Sequence, residues 1–280
     1  MSPIALALVS ILLWSTVAWL SLELARLPPF LLVGLCLLIG AACGLPRWRD
    51  WRSAGPGLLL LGVYGLFGFH FLLFTALRHA PAVEANLVNY LWPLLIVVLA
   101  PLIVPGTRLT ARHLTAGALG FGGAALLATG GRFAVEAAHL FGYACALGSA
   151  LIWSTYSLAT RRLPAFPTGT VGAFCAVSGV LALACHALFE PGVALQPGDW
   201  PWLLALGVGP LGIAFYTWDA AMKRGDPRAI GTLAYLTPLL STLWLAASGK
   251  GTLGWPAIVA MAAIVGGAAL GAGGRGAARG

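Results

Sequence analysis

The chain has 280 residues, 60% of them hydrophobic and only 9% charged, with a formal net charge of +8. An ordinary soluble domain carries about 25% charged residues, so this chain cannot clothe a water-facing surface, and lipid is its expected solvent. Its sixteen Lys and Arg residues are scattered in short clusters between apolar runs, with no basic stripe, which excludes a nucleic-acid partner.

A helix needs about 20 apolar residues to cross a hydrocarbon core about 30 Å thick. Ten segments satisfy this in chain order, over 3–22, 28–45, 56–77, 82–104, 113–131, 140–160, 167–189, 200–221, 227–248 and 254–273. Period-two alternation is absent, so a β-barrel is not expected. The first segment has no basic residue before it and its pattern recurs later, so it reads as a retained helix rather than a secretory signal. It carries Ser10, Trp14 and Ser21 along one side. The third segment carries a stripe of Phe67, His70, Phe71 and Phe74. His70 is its one mid-membrane titratable group. It is read either as a donor to a substrate carboxylate that changes charge with pH, or as a neutral ring bonded to a neighbour.

The fourth segment has the clearest polar face. Asn86, Asn89, Tyr90 and Pro93 fall at i, i+3, i+4 and i+7, one helical stripe. Asparagine in hydrocarbon is costly unless paired, so the stripe faces a watery cavity or holds a neighbouring helix. Its donors and acceptors suit an α-amino and an α-carboxyl group. The sixth segment presents Ser149, Trp153, Tyr156 and Thr160 along one side; the eighth and ninth offer Tyr216, Trp218, Tyr235 and Thr237. Pro93 and Pro238 each remove a backbone donor in mid-membrane, and a hinge is expected at both. Gly267 and Gly271 form a G-x-x-x-G that permits close helix approach, read as ordinary packing ahead of a dimer face.

The connectors are short and rich in proline and glycine, as in Arg26-Leu27-Pro28-Pro29, Gly44-Leu45-Pro46, Val104-Pro105-Gly106, Glu190-Pro191-Gly192 and Gly225-Asp226-Pro227. Assigned alternately to two sides, one side receives Arg47, Arg49, Arg52, Arg108, Arg112, Arg161, Arg162, Lys223, Arg224, Arg228, Arg275 and Arg279, twelve in all. The other receives four: Arg26, Arg78, Arg132 and Lys250. The positive-inside rule makes the first side cytoplasmic. Both termini then lie in the cytoplasm of a bacterial inner (plasma) membrane, in agreement with an even number of spans.

The sequence repeats itself. Trp14-Ser15-Thr16 recurs as Trp153-Ser154-Thr155, with Ser10 matched by Ser149. Leu27-Pro28 and Phe30 recur as Leu163-Pro164 and Phe166. Tyr90-Leu91 and Pro93-Leu94-Leu95 recur as Tyr235-Leu236 and Pro238-Leu239-Leu240, and Gly122-Gly123-Ala124-Ala125-Leu126 as Gly266-Gly267-Ala268-Ala269-Leu270. Matches in one order imply that residues 1–135 and 136–280 are two copies of one five-helix unit. Five is odd, so the second copy enters from the opposite side. The expected fold is therefore an all-α membrane protein of ten helices, as two inverted five-helix repeats around a central cavity.

This arrangement, with proline in the fourth and ninth helices and glycine-alanine-rich fifth and tenth helices, resembles the EamA branch of the drug/metabolite transporter superfamily. Within it, Trp14-Ser15-Thr16 and Asn89-Tyr90-Leu91-Trp92-Pro93 resemble the YddG-type amino-acid exporters. The resemblance implies export of amino acids, aromatic ones included, through a cavity lined by helices 1, 3, 4, 6, 8 and 9, with helices 5 and 10 as scaffold. The substrate-binding residues expected are Trp14, His70, Asn86, Asn89, Tyr90, Trp92, Ser149, Trp153, Tyr156, Tyr216 and Tyr235.

Export of cationic drugs or other metabolites is the alternative; it calls for an acidic cavity. Helix 1 has no mid-span carboxylate, and Glu84 and Asp219 are the remaining acidic candidates for ion coupling, both read as interfacial. With no P-loop, H-E-x-x-H or G-x-S-x-G, neither direct ATP use nor enzymatic chemistry is expected. The five cysteines form no C-x-x-C pair and read as packing residues. No cofactor or metal is expected. The partners expected are an amino-acid substrate and the lipid bilayer, and the chain is taken to work as a monomer.

Overall fold

The computed structural model describes residues 1–131, 136–249 and 254–272. No strand occurs among them. The helices, in order, are α1 (Pro3–Leu22), α2 (Pro29–Cys43), α3 (Pro56–His79), α4 (Ala82–Ile103), α5 (Ala111–Thr129), α6 (Ala137–Arg162), α7 (Thr168–Phe189), α8 (Pro197–Arg224), α9 (Pro227–Ala247) and α10 (Trp255–Ala272). Proline opens several of them, where its missing N–H costs nothing.

Among the described residues, seven helices (α1, α3, α4, α6, α7, α8 and α9) are long and apolar enough to cross a membrane. The count is eight if α2 and the 3₁₀ segment Leu45–Ser53, bent by 95° against it, form one broken span. In α10 the apolar stretch is the shorter Trp255–Gly271. The alanine- and glycine-rich α5 carries Arg112 and His113 in its first turn and is not among the seven. Arg132, Lys250, Arg275 and Arg279, used above to assign sides, lie outside the described residues.

Irregularities recur in matching places along the chain. A wide turn of π-helix interrupts α3 over Tyr64–Gly68 and α8 over Gly209–Ile213. The flanking pieces Phe69–His79 and Ala214–Arg224 keep that spacing of 145 positions. Helix α4 breaks at Tyr90–Leu91 and α9 at Ala234–Tyr235, each shortly before the proline that cannot donate (Pro93, Pro238). One matched pair differs: α1 breaks at Thr16, whereas α6 runs unbroken through Thr155.

The main packing partners follow the same pairing. Helix α5 lies on α10, α2 on α7, α3 on α6, and α1 on α8. Under the helix correspondence expected from the sequence repeat, the first two pairs would join counterparts and the last two would exchange with each other. The α5–α10 contact needs small residues. A Cβ on Gly123 would meet the Ala260 carbonyl, and one on Gly267 the Ala116 carbonyl. The G-x-x-x-G of α10 therefore packs inside the chain.

Candidate functional site

A cavity of about 280 Å³ lies between these helices, near the lower end of ligand-pocket sizes, about 300 Å³. Its lining comes from the late turns of α1 (Trp14, Val17, Ser21) and α3 (Phe69, His70, Leu73, Phe74) and from the early half of α4 (Asn86, Asn89, Tyr90, Trp92). Trp153 of α6, Leu206 to Phe215 of α8 and Thr237 of α9 complete it. Helix α2 adds Leu32, Val33 and Cys36, a wall the expected set of six helices omits. The cavity thus sits toward the face bearing the α1–α2 and α3–α4 connectors.

On the opposite side it ends on a knot of indoles. Trp14 meets Trp218 at 5.0 Å between ring centroids, Trp153 at 5.6 Å and Trp92 at 6.2 Å. Trp218 is 1% exposed and fixes its ring by donating Nε1–H to Ser157 Oγ at 3.0 Å. Trp14 donates to the Pro210 carbonyl at 3.1 Å. That carbonyl lies in the wide turn of α8, where helical pairing is disturbed.

The polar groups form one edge. Asn89 is 7% exposed, and its Oδ1 accepts from Ser149 Oγ at 2.7 Å, which leaves the amide N–H₂ as free donor. Asn86 spends its amide donor on the Ala82 carbonyl at 2.9 Å, which leaves Oδ1 as acceptor. His70 Nδ1 lies 2.7 Å from the Leu66 carbonyl. A carbonyl only accepts, so Nδ1 carries the proton, and whenever the ring is neutral Nε2 is an acceptor. The histidine is thus both bonded to a neighbour and on the cavity wall, and in this tautomer it receives a hydrogen bond rather than giving one. Among the described residues, no carboxylate lines the cavity.

Of the expected site residues, Trp14, His70, Asn86, Asn89, Tyr90, Trp92 and Trp153 line the cavity. Four stand behind it. Ser149 is fully buried and holds Asn89. Tyr156, 3% exposed, packs against Trp153 and fills the space beside Gly65. Tyr216 donates to the Gly40 carbonyl at 3.1 Å. Tyr235 is fully buried, and its hydroxyl accepts the Leu94 N–H at 3.2 Å. The break at Tyr90–Leu91 takes that N–H out of its helical bond, and the Tyr235 hydroxyl satisfies it. Pro93 and Pro238 follow the two breaks and are buried.

Sequence periodicity missed Phe69, Leu73 and Phe215. It assumed 3.6 residues per turn throughout α3. The wide turn at Tyr64–Gly68 rotates the rest of the helix, so Phe69, His70, Leu73 and Phe74 face inward, while Phe71 packs on Phe30 and Phe67 on Phe71. Asp219 is also more buried than expected. It is 3% exposed and paired with Lys223 at 2.7 Å. Glu84 is half-buried near the start of α4.

The model of the EamA-like transporter family matches residues 1–129 and 140–272. An aromatic amino acid exporter YddG of Ancylobacter novellus is 44% identical over 93% of this chain and 93% of its own. A protein of the same name from Salmonella typhimurium is 29% identical over 85% of each chain. A probable terminal-alkyne amino-acid exporter of Streptantibioticus cattleyicolor is 27% identical over 71% of this chain and 67% of its own. A solved crystal structure with 42% identity superposes with a TM-score of 0.91, covering 95% of this chain and 94% of that one. With a family model matched along almost its whole described length, the chain belongs to the EamA-like transporter family.

Proposed function

We propose that the chain exports amino acids, aromatic ones included, from the bacterial cytoplasm across the inner membrane by alternating access. The observation that carries this reading is the cavity's division of labour. Trp14, Trp92, Trp153, Phe69 and Phe215 supply flat apolar walls. One polar edge offers the Asn89 amide donor to a carboxylate and the Asn86 and His70 acceptors to an ammonium. Aromatic pairs add about 0.5–1.5 kcal/mol beyond their buried area, so such walls favour aromatic side chains. The names carried by the three relatives point the same way. A cationic-drug exporter is disfavoured because, among the described residues, no carboxylate faces the cavity.

The mechanical part rests on ten spans arranged as two inverted five-helix repeats, 1–135 and 136–280. The repeated wide turns, the repeated breaks and the exchange-symmetric packing support this, as do the two stretches of the family match. With both termini cytoplasmic, the cavity lies toward the periplasm and the indole knot closes the cytoplasmic side. One chain holds the entire cavity, so a monomer suffices.

Counterflow into proteoliposomes tests the reading. Vesicles preloaded with unlabelled phenylalanine or tryptophan are expected to accumulate the labelled amino acid, and intact substrate is recovered. Absence of counterflow for every amino acid would reject it. A panel run with and without a proton gradient separates coupled from facilitated efflux.

A further inference from the structure

The two ends of the bundle carry one device twice. Lys223, in the last turn of α8, sets Nζ 3.3 Å from the centroid of the Phe166 ring and donates to the Phe166 carbonyl at 3.0 Å. It also donates to Asp219 Oδ2 at 2.7 Å, an oxygen that accepts from Thr168 Oγ1 at 2.8 Å. Phe166 and Thr168 flank the start of α7, so this cluster clasps the end of α8 to the α6–α7 connector. Arg78, in the last turn of α3, stands over the Phe30 ring at 5.6 Å and pairs with Glu190 at 2.8 Å. Phe30 lies at the start of α2, whose first N–H groups, Phe30 and Leu31, donate to that same Glu190.

Positions 78 and 223 are separated by the 145 residues that carry the wide turn of α3 onto that of α8. Phe30 and Phe166 are matched by the Leu-Pro-x-Phe repeat. The two cation–ring pairs are thus one pair in two copies, at opposite ends of the bundle. They are not in the same state. The Lys223 side chain is 17% exposed and tight on its ring; that of Arg78 is 42% exposed and loose. The loose pair is on the side toward which the cavity lies, the tight pair beneath the indole knot, with Asp219 following Trp218 directly.

We propose that Lys223–Phe166 and Arg78–Phe30 are paired latches of the transport cycle, closed in alternation. This rests on the alternating-access reading above. In the present state the first holds the cytoplasmic end shut. In the other state Arg78 closes onto Phe30 and Lys223 withdraws. The copies differ in the acid that steadies them. Asp219 sits one turn before Lys223 on the same helix; the equivalent position in α3 is Phe74, which lines the cavity. The outer latch instead borrows Glu190 from the end of α7, in the other copy.

The test reads the balance of states rather than transport. Ser21, half-buried on the cavity wall, is replaced by Cys and its maleimide-labelling rate followed in detergent, against the baseline of the five native cysteines. Lys223→Met and Phe166→Leu are each expected to slow labelling about threefold or more, by shifting the population to the state in which the outer side is closed. Arg78→Gln should leave it unchanged or faster, adding Arg78→Gln to Lys223→Met should restore it, and Lys223→Arg should behave as the parent. Phe166→Leu removes the ring without unpairing Asp219, which keeps the test open if Lys223→Met does not fold. Unchanged labelling in a folded Phe166→Leu variant overturns the latch. Because labelling needs no transported amino acid, a failed counterflow assay would reject the exporter reading separately.

Discussion

Trp153 touches six other rings: Trp14, Phe69, Trp92, Tyr156, Phe215 and Trp218. It is both wall and floor of the cavity. Trp153→Ala should raise the half-saturating concentration for tryptophan about tenfold, the equivalent of about 1.4 kcal/mol of lost ring contact, while Trp153→Phe changes it less. The measurement is concentration-dependent counterflow, and equal values for parent and Trp153→Ala would remove the residue from the site. The polar edge gives a second expectation. Asn86 and His70 present acceptors, so an amino acid whose nitrogen is acetylated loses the charge and two of the three N–H donors they match. Hydrogen bonds to charged groups contribute about 1.5–3 kcal/mol, and N-acetyltryptophan should compete at least about tenfold more weakly than tryptophan. Equal competition would show that the edge does not read the ammonium.

At the scale of the helix, the informative places are where regular pairing fails. The Tyr90–Leu91 break releases the Leu94 N–H, and the Tyr235 hydroxyl takes it. Tyr235→Phe leaves that donor orphaned inside the bundle, a cost of about 1–3 kcal/mol. The expected result is a lower melting temperature in detergent with the substrate affinity retained; a loss of affinity alone would return Tyr235 to the binding site. Asp226 caps α9 by accepting the Arg228 N–H at 2.9 Å. Burial pushes its carboxyl up, but hydrogen bonds from the Arg228 side chain and backbone outweigh this and hold it below the usual carboxylate range. A lowered native value stabilises the fold at neutral pH, and that stability is lost as the pH falls through it. Asp226→Asn should therefore cost stability at pH 7 and progressively less on acidification. Helix positions, the proline breaks and the Asn86–Asn89–Tyr90 face were legible in the sequence, because hydropathy and the 3.6-residue period carry them. The wide turns were not. Tyr64–Gly68 and Gly209–Ile213 have no residue signature that hydropathy registers, and each resets the period for the half-helix after it. That is why Phe69 and Phe215 escaped while Trp14 and Trp153 did not. Tyr216 and Tyr235, expected on the cavity wall, instead bond backbone groups behind it. A buried tyrosine hydroxyl needs a partner, and sequence alone cannot say whether the partner is a ligand or a backbone group.

At the scale of the molecule, the two proposed copies are unequal in a way that the proposed cycle explains. The triplet Trp-Ser-Thr occurs in both, yet the backbone breaks at Thr16 in α1 and stays helical at Thr155 in α6. Identical residues in different conformations cannot owe the difference to local propensity, so the surroundings impose it. Trp14 is tied to the Pro210 carbonyl in the wide turn of α8; among the described residues Trp153 has no such bond to α3. If the halves exchange conformations, α1 should straighten and α6 should break at Thr155 when the cavity turns to the cytoplasm. Hydrogen exchange distinguishes the states, because a broken turn opens more readily than an intact one. In the present state, amides 17–20 of α1 should exchange faster than their counterparts 156–159 in α6. In a Lys223→Met variant, where the other state is favoured, the order should reverse. Unchanged protection in both segments, in a variant whose Ser21→Cys labelling has slowed, would mean that the halves move as rigid bodies, and the Thr16 break would then be a fixed feature of the first half.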